Sequence, residues 1–169
     1  SITEDVFRYT GMMDVIEREG VEFFDHNHGP FHEISLESGP QRQIMINPRI
    51  LEYETVVSLA QLKLHETATV TLSMKNIAMS FPAADCYGHP RASGEVHEND
   101  FFGDMQEFIV AMMQRFLPSL GIIVGHPAMV GTGPLGGIPV ETGLVIASRD
   151  VVAADAAGAA LFGFNMQAV

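Results

Sequence analysis

Apolar positions Val6, Tyr9, Met13 and Ile16 recur at three- and four-residue intervals, which predicts a helix over residues 3–19. Thr3 is placed to cap it, Glu4 and Asp5 suit its positive end, Gly11 is a weak point and Gly20 is its stop. A short strand is expected at 21–25. Apolar segments at 31–36 and 43–47 flank Ser38-Gly39-Pro40 and predict a hairpin, and Pro48 starts a short helix through Glu52. The β-branched, apolar run 55–62 reads as a buried strand. Residues 69–79 begin with Thr-Val-Thr, which favours a strand, and then change to helix-compatible residues, so a helix starts inside this segment.

Residues 80–99 form a polar, proline-bearing loop that carries His89, Arg91 and His97. The clearest helix covers 100–116, where Phe101, Met105, Phe108, Met112 and Phe116 stack on one face. Asp100 and Asp104 sit at its positive end and Arg115 at its negative end. A strand at 120–125, a glycine-rich loop at 129–137, a strand at 140–147 and a small-residue helix at 150–162 complete the chain. The alternation predicts one α/β domain spanning 1–169, a largely parallel or mixed sheet flanked by helices, with a β-hairpin near the N-terminus. The first residue is Ser1 rather than Met, which suggests a fragment of a longer domain or a processed chain.

The stretch KLHETATVTLSMKN, residues 63–76, holds both lysines of a chain whose formal net charge is -12. Lys63 and His65 are two apart, so an extended chain points both to one side. They follow a strand, and ligands of open α/β sheets settle beyond the carboxyl ends of strands. A helix starting after Thr69 would add free amide hydrogens, and Lys75 and Asn76 would come from that helix. These groups predict a donor-rich pocket for a small anionic ligand such as a carboxylate or phosphate. Two solvated lysines beside a surface histidine would be the bland alternative.

GTGPLG, residues 131–136, matches the dinucleotide pattern G-x-G-x-x-G in letters only. Pro134 and Pro139 bracket it and a strand follows, whereas the fingerprint must open a helix. Gly131 and Gly133 are expected instead to let backbone approach a ligand near the sheet's binding edge. In DHNHGPFH, His26 and His28 share a face if the strand continues, with Asp25 and His32 near, a pattern that could chelate a divalent metal. No G-x-S-x-G elbow is present, and Cys86 has no readable partner. Asp150 reads as a helix cap, and the role of Asp155 is open.

Acidity excludes a general nucleic-acid binder and disfavours anionic membrane surfaces. No apolar run reaches a membrane span, and no charged-then-apolar leader is visible. The single cysteine, Cys86, excludes an internal disulfide and any iron–sulfur cluster held by this chain alone, and it suits a cytoplasmic location. Ten methionines and the Phe/Met helix face predict a homo-oligomer or an interaction module.

The order of these motifs resembles the family called domain of unknown function 362. K-x-H at Lys63 to His65, a threonine-rich link and M-K-N at Met74 to Asn76 are similar to its signature. G-T-G-P at Gly131 to Pro134 and S-R-D-V-V-A-A-D from Ser148 to Asp155 look like its closing motifs. The likeness runs from about Gly11 to Gly163. It implies an α/β protein of unassigned biochemical role, often joined to a ferredoxin-like cysteine segment that this chain lacks. Gly125 and His126 stand where the family often has an aspartate, and its N-terminal lysine-proline-asparagine strand end is not seen. The leading expectation is a small anionic or metal-linked ligand held by Lys63, His65, Lys75, Asn76, Gly131 and Gly133. A metal-dependent enzyme using His26, His28 or His65 is the alternative, and no reaction is assigned.

Overall fold

The computed structural model describes residues 2–88, 103–134 and 136–165. His89, Arg91, His97 and the predicted helix start at Asp100 lie outside the described residues. The predicted first helix is broken in two, α1 (Ile2–Tyr9) and α2 (Met12–Arg18). Gly11 adopts φ 74° at the break, a conformation that glycine enters without steric cost. Thr3 lies inside α1 rather than capping it, and its hydroxyl accepts from Asn27 Nδ2 at 3.0 Å. Residues 21–25 are not a strand.

The hairpin forms as expected from β1 (His32–Ser35) and β2 (Gln43–Ile46), and a 3-10 helix follows at Pro48–Glu52. The main sheet contains β3 (Val57–His65), β4 (Thr69–Thr71), β5 (Leu120–Thr132), β6 (Gly136–Val140) and β7 (Leu144–Ser148). It is mixed: β3 and β5 are parallel, and the β3–β4, β5–β6 and β5–β7 pairs are antiparallel.

The glycine-rich segment read as a loop is mostly strand. β5 continues through Gly125, Pro127 and Gly131 because partners hold it along its length. Residues 121–125 pair with β7, and 128–132 pair with β6. Pro127 falls where the β3–β5 register jumps from Gln61↔Val124 to Lys63↔Met129, the kind of irregularity that tolerates proline inside a sheet. Gln61 Nε2 donates to the Pro127 carbonyl at 3.2 Å across the gap.

Helices α3 (Ser73–Ser80), α4 (Ala84–Tyr87), α5 (Met105–Arg115) and α6 (Val151–Leu161) complete the described elements. Asp104 caps α5 through the amides of Gln106 and Glu107, and Asp150 caps α6 through Ala153. Phe108 and Met112 of α5 are fully buried against Ile34, Ile44 and Ile46 of the hairpin layer. A second apolar cluster joins Leu62 and Ile123 of the sheet to Ala154 and Ala159 of α6.

Among the described residues, helices cover only one face of the sheet. Along β3, Ser58, Ala60 and Leu62 are buried, while Val57 and Leu59 are 48% and 55% exposed. The run 55–62 is apolar on both faces, so it does not carry the alternation that would have shown one side facing solvent.

Candidate functional site

The site is built where β3 ends. Lys63 and His65 occupy alternate positions of β3 and pair with Thr71 and Thr69 of β4. One residue past β4 the chain turns into α3, and Lys75 lies in its first turn. Lys63 and His65 of β3 and Lys75 of α3 lie close enough for their charges to interact. Their electrostatics record the proximity. Burial lowers the Lys63 amine below its ordinary value. Burial first, and the Lys63 charge second, push Lys75 down to about 8. Burial, then Lys75, then Lys63 push His65 down to about 4.

Among the described residues, neither lysine belongs to an ion pair; Arg8, Arg18 and Arg49, by contrast, each hold a glutamate. Thr71, the cross-strand neighbour of Lys63, has a buried hydroxyl without a hydrogen-bond partner among the described residues.

His65 has a defined tautomer. Its Nδ1 accepts the amide hydrogens of Thr67 and Ala68, both at 3.2 Å. Backbone amides cannot accept, so Nδ1 carries no proton and the neutral ring keeps its proton on Nε2. Protonating the ring would set an N–H against two N–H groups, which agrees with the low value of about 4. At neutral pH His65 is an uncharged donor through Nε2–H.

The remaining expected donors serve the fold. Asn76 Nδ2 donates to Ser58 Oγ at 3.1 Å and to the Leu59 carbonyl at 3.2 Å, tying α3 to the edge of β3. The α3 amides expected to face a ligand are occupied. Asp155 of α6 accepts from Ser73 N at 2.8 Å and from Met74 N at 2.9 Å, and so caps α3 from 82 residues away. Leu72, at the N-cap position, has no side-chain group to do so. Burial raises the Asp155 carboxyl, and the two amide bonds oppose the shift. Its role had no signal in local spacing; only the family-like S-R-D-V-V-A-A-D run singled it out.

Gly133 does lie beside the site, yet its missing side chain makes room for protein. A Cβ there would come within 2.0 Å of the Leu64 carbonyl oxygen, and the Gly133 carbonyl accepts from Glu66 N at 3.1 Å. The GTGP segment thus clamps the end of β3 that carries Lys63 and His65. Gly131 turns the strand with φ 83°, and no helix follows, so the dinucleotide pattern is accidental.

His26 and His28 lie elsewhere and face different partners. His26 Nε2 bonds the Ser80 carbonyl at 2.8 Å, which places a proton on that nitrogen, and its ring meets Phe81 edge-on. His28 bridges Asp85 at 2.9 Å and Asp25 at 3.5 Å, and the Asp85 hydrogen bond raises its protonation range. Among the described residues, no three His, Cys, Asp or Glu side chains are grouped so as to hold a metal ion. His126 is exposed and pairs with Glu141 at 2.7 Å.

The family described as Domain of unknown function (DUF362) matches residues 1–160. The chain belongs to that family. A curated relative, the thylakoid-associated protein sll1697 of Synechocystis, is 30% identical over 122 residues, covering 72% of this chain. The aligned part is 36% of that protein's length, so this chain corresponds to about a third of it. No solved structure matches this member of the DUF362 family. Among the described residues no helix is long and apolar enough to cross a membrane.

Proposed function

We propose that this chain binds a small anion between the end of β3 and the start of α3. Lys63 and Lys75 supply charge, His65 Nε2–H a neutral hydrogen bond, and the Thr71 hydroxyl a further donor. The observation that carries the reading is the pair of lysines partly withdrawn from water beside each other, neither of them in an ion pair among the described residues. Two half-buried ammonium groups repel and lose part of their hydration, and a bound anion is the direct remedy.

Thermal stabilisation by inorganic phosphate or acetate tests this. The parent should gain stability as either anion is titrated, and Lys63→Ala and Lys75→Ala should each weaken binding about 10- to 100-fold, the loss of one charge-assisted hydrogen bond. Affinity should fall as pH rises through 8, because Lys75 loses its proton there. Equal stabilisation of parent and both variants at every pH contradicts the reading.

The uncovered face of the sheet favours a second role, as a surface that pairs copies of the chain. Leu59 and Val145, 55% and 63% exposed, lie on it with Val57. Sedimentation should then show mass increasing with concentration, and Leu59→Asp should return the chain to monomer. A parent that stays monomeric at all concentrations removes this role.

A further inference from the structure

A cavity of about 440 Å³ opens between β4, α5 and α6, bordered by the first turn of α3. Its size falls in the range of small-molecule sites. Val70, Leu72, Ile109, Met113, Val152 and Ala156 give it aliphatic walls. Among the described residues, two charged ones line it, Lys75 and Asp155. Lys75 is thus common to the cavity and to the cluster with Lys63 and His65, and Ala68, whose amide holds the His65 ring, lines the same cavity. An anion seated at Lys75 has an aliphatic chamber directly beside it.

We propose that the ligand is a fatty-acid-like carboxylate, its head at Lys75 and its hydrocarbon chain in the cavity between α5 and α6. This rests on the anion-binding reading and specifies its ligand class. Charge decides the head group. Asp155 borders the same space, so a phosphate monoester dianion would meet more repulsion than a carboxylate of single charge. The walls decide the tail: water there contacts mostly aliphatic carbon and makes few hydrogen bonds, so a hydrocarbon displaces it favourably.

Calorimetry with acetate, hexanoate, octanoate and decanoate, all below micelle formation, tests the proposal, with decanol as a chain lacking charge. Affinity should rise about fourfold for each methylene, the fold-change that about 0.8 kcal/mol per buried CH2 converts to. Filling the chamber by Ala156→Phe, or by Val152→Phe at its rim, should abolish the chain-length gain and leave acetate binding intact. The two variants alter the chamber independently, so a poorly folded one leaves the other decisive.

Acetate and decanoate binding equally would overturn the proposal and leave the anion site standing. Decanol binding while no carboxylate binds would overturn the anion site and, with it, the seat for the head. A chain-length gain that survives in both filled variants would place the chain elsewhere and overturn it. Binding to phosphatidylglycerol vesicles without binding to dissolved decanoate would identify a membrane surface rather than a chambered monomer, and would equally overturn it.

Discussion

Lys75→Met is expected to make the ligand-free chain more stable while removing its response to anions. In the fold the Lys75 amine titrates at about 8, against an ordinary value of 10.5. Each unit of that difference corresponds to about 1.4 kcal/mol of penalty on the charged form, so a gain of about 1–3 kcal/mol is expected at pH 7. A methionine keeps the aliphatic stem that lines the cavity and removes the half-buried charge. The sign of the pH dependence follows. Between pH 8 and 10.5 the unfolded chain holds the lysine proton and the folded chain does not, so parental stability rises with pH across that window. The variant should lack that part of the rise. Chemical denaturation at pH 7, 8, 9 and 10 reads both effects. A variant less stable than the parent at pH 7 would show that the Lys75 ammonium is net stabilising in the fold and would overturn this expectation.

Asp155→Ala should have the opposite effect. It strips the acceptors from two amides at the start of α3, at 2.8 and 2.9 Å, in a place where water has little access. Leaving buried donors unpaired costs about 1–3 kcal/mol each, and the two losses overlap, so about 2–4 kcal/mol is expected. Asp155→Asn keeps one oxygen acceptor and should fall between parent and alanine variant. The consequence reaches the site, since α3 positions Lys75: hydrogen exchange should speed up across 73–80 in Asp155→Ala before it does in β3 or β5. Unchanged protection of α3 would mean that its packing against β3 and α5 fixes the helix without the cap.

The parts of this molecule that short-range chemistry determines were readable. Two-residue spacing puts Lys63 and His65 on one side of β3, and the change from Thr-Val-Thr to Leu-Ser-Met-Lys-Asn marks the passage from β4 to α3, which carries Lys75 back toward them. The hairpin, the 3-10 turn at Pro48–Glu52 and the Asp150 cap were likewise visible in local residues. What stayed hidden depends on partners distant in the chain. Glycines and prolines from Gly125 to Pro134 read as breakers, but pairing with β6 and β7 keeps β5 extended through most of them. Asp155 and the amides it caps are far apart in sequence, and Gly133 owes its place to the Leu64 carbonyl it packs against. Asn76 was assigned to a ligand because its amide resembles a donor waiting for one; the free edge of β3 beside α3 takes it instead.

Because the chain has two lysines, the state of the amine pair can be read from two signals. Lysine labelled with carbon-13 at Cε reports each amine separately, and Lys75→Met assigns them. One signal, from Lys75, should titrate near pH 8, a second, from Lys63, below the ordinary lysine range, and both should move to higher pH when acetate or phosphate is added. Two signals titrating together near the value of free lysine, with or without anion, would contradict it.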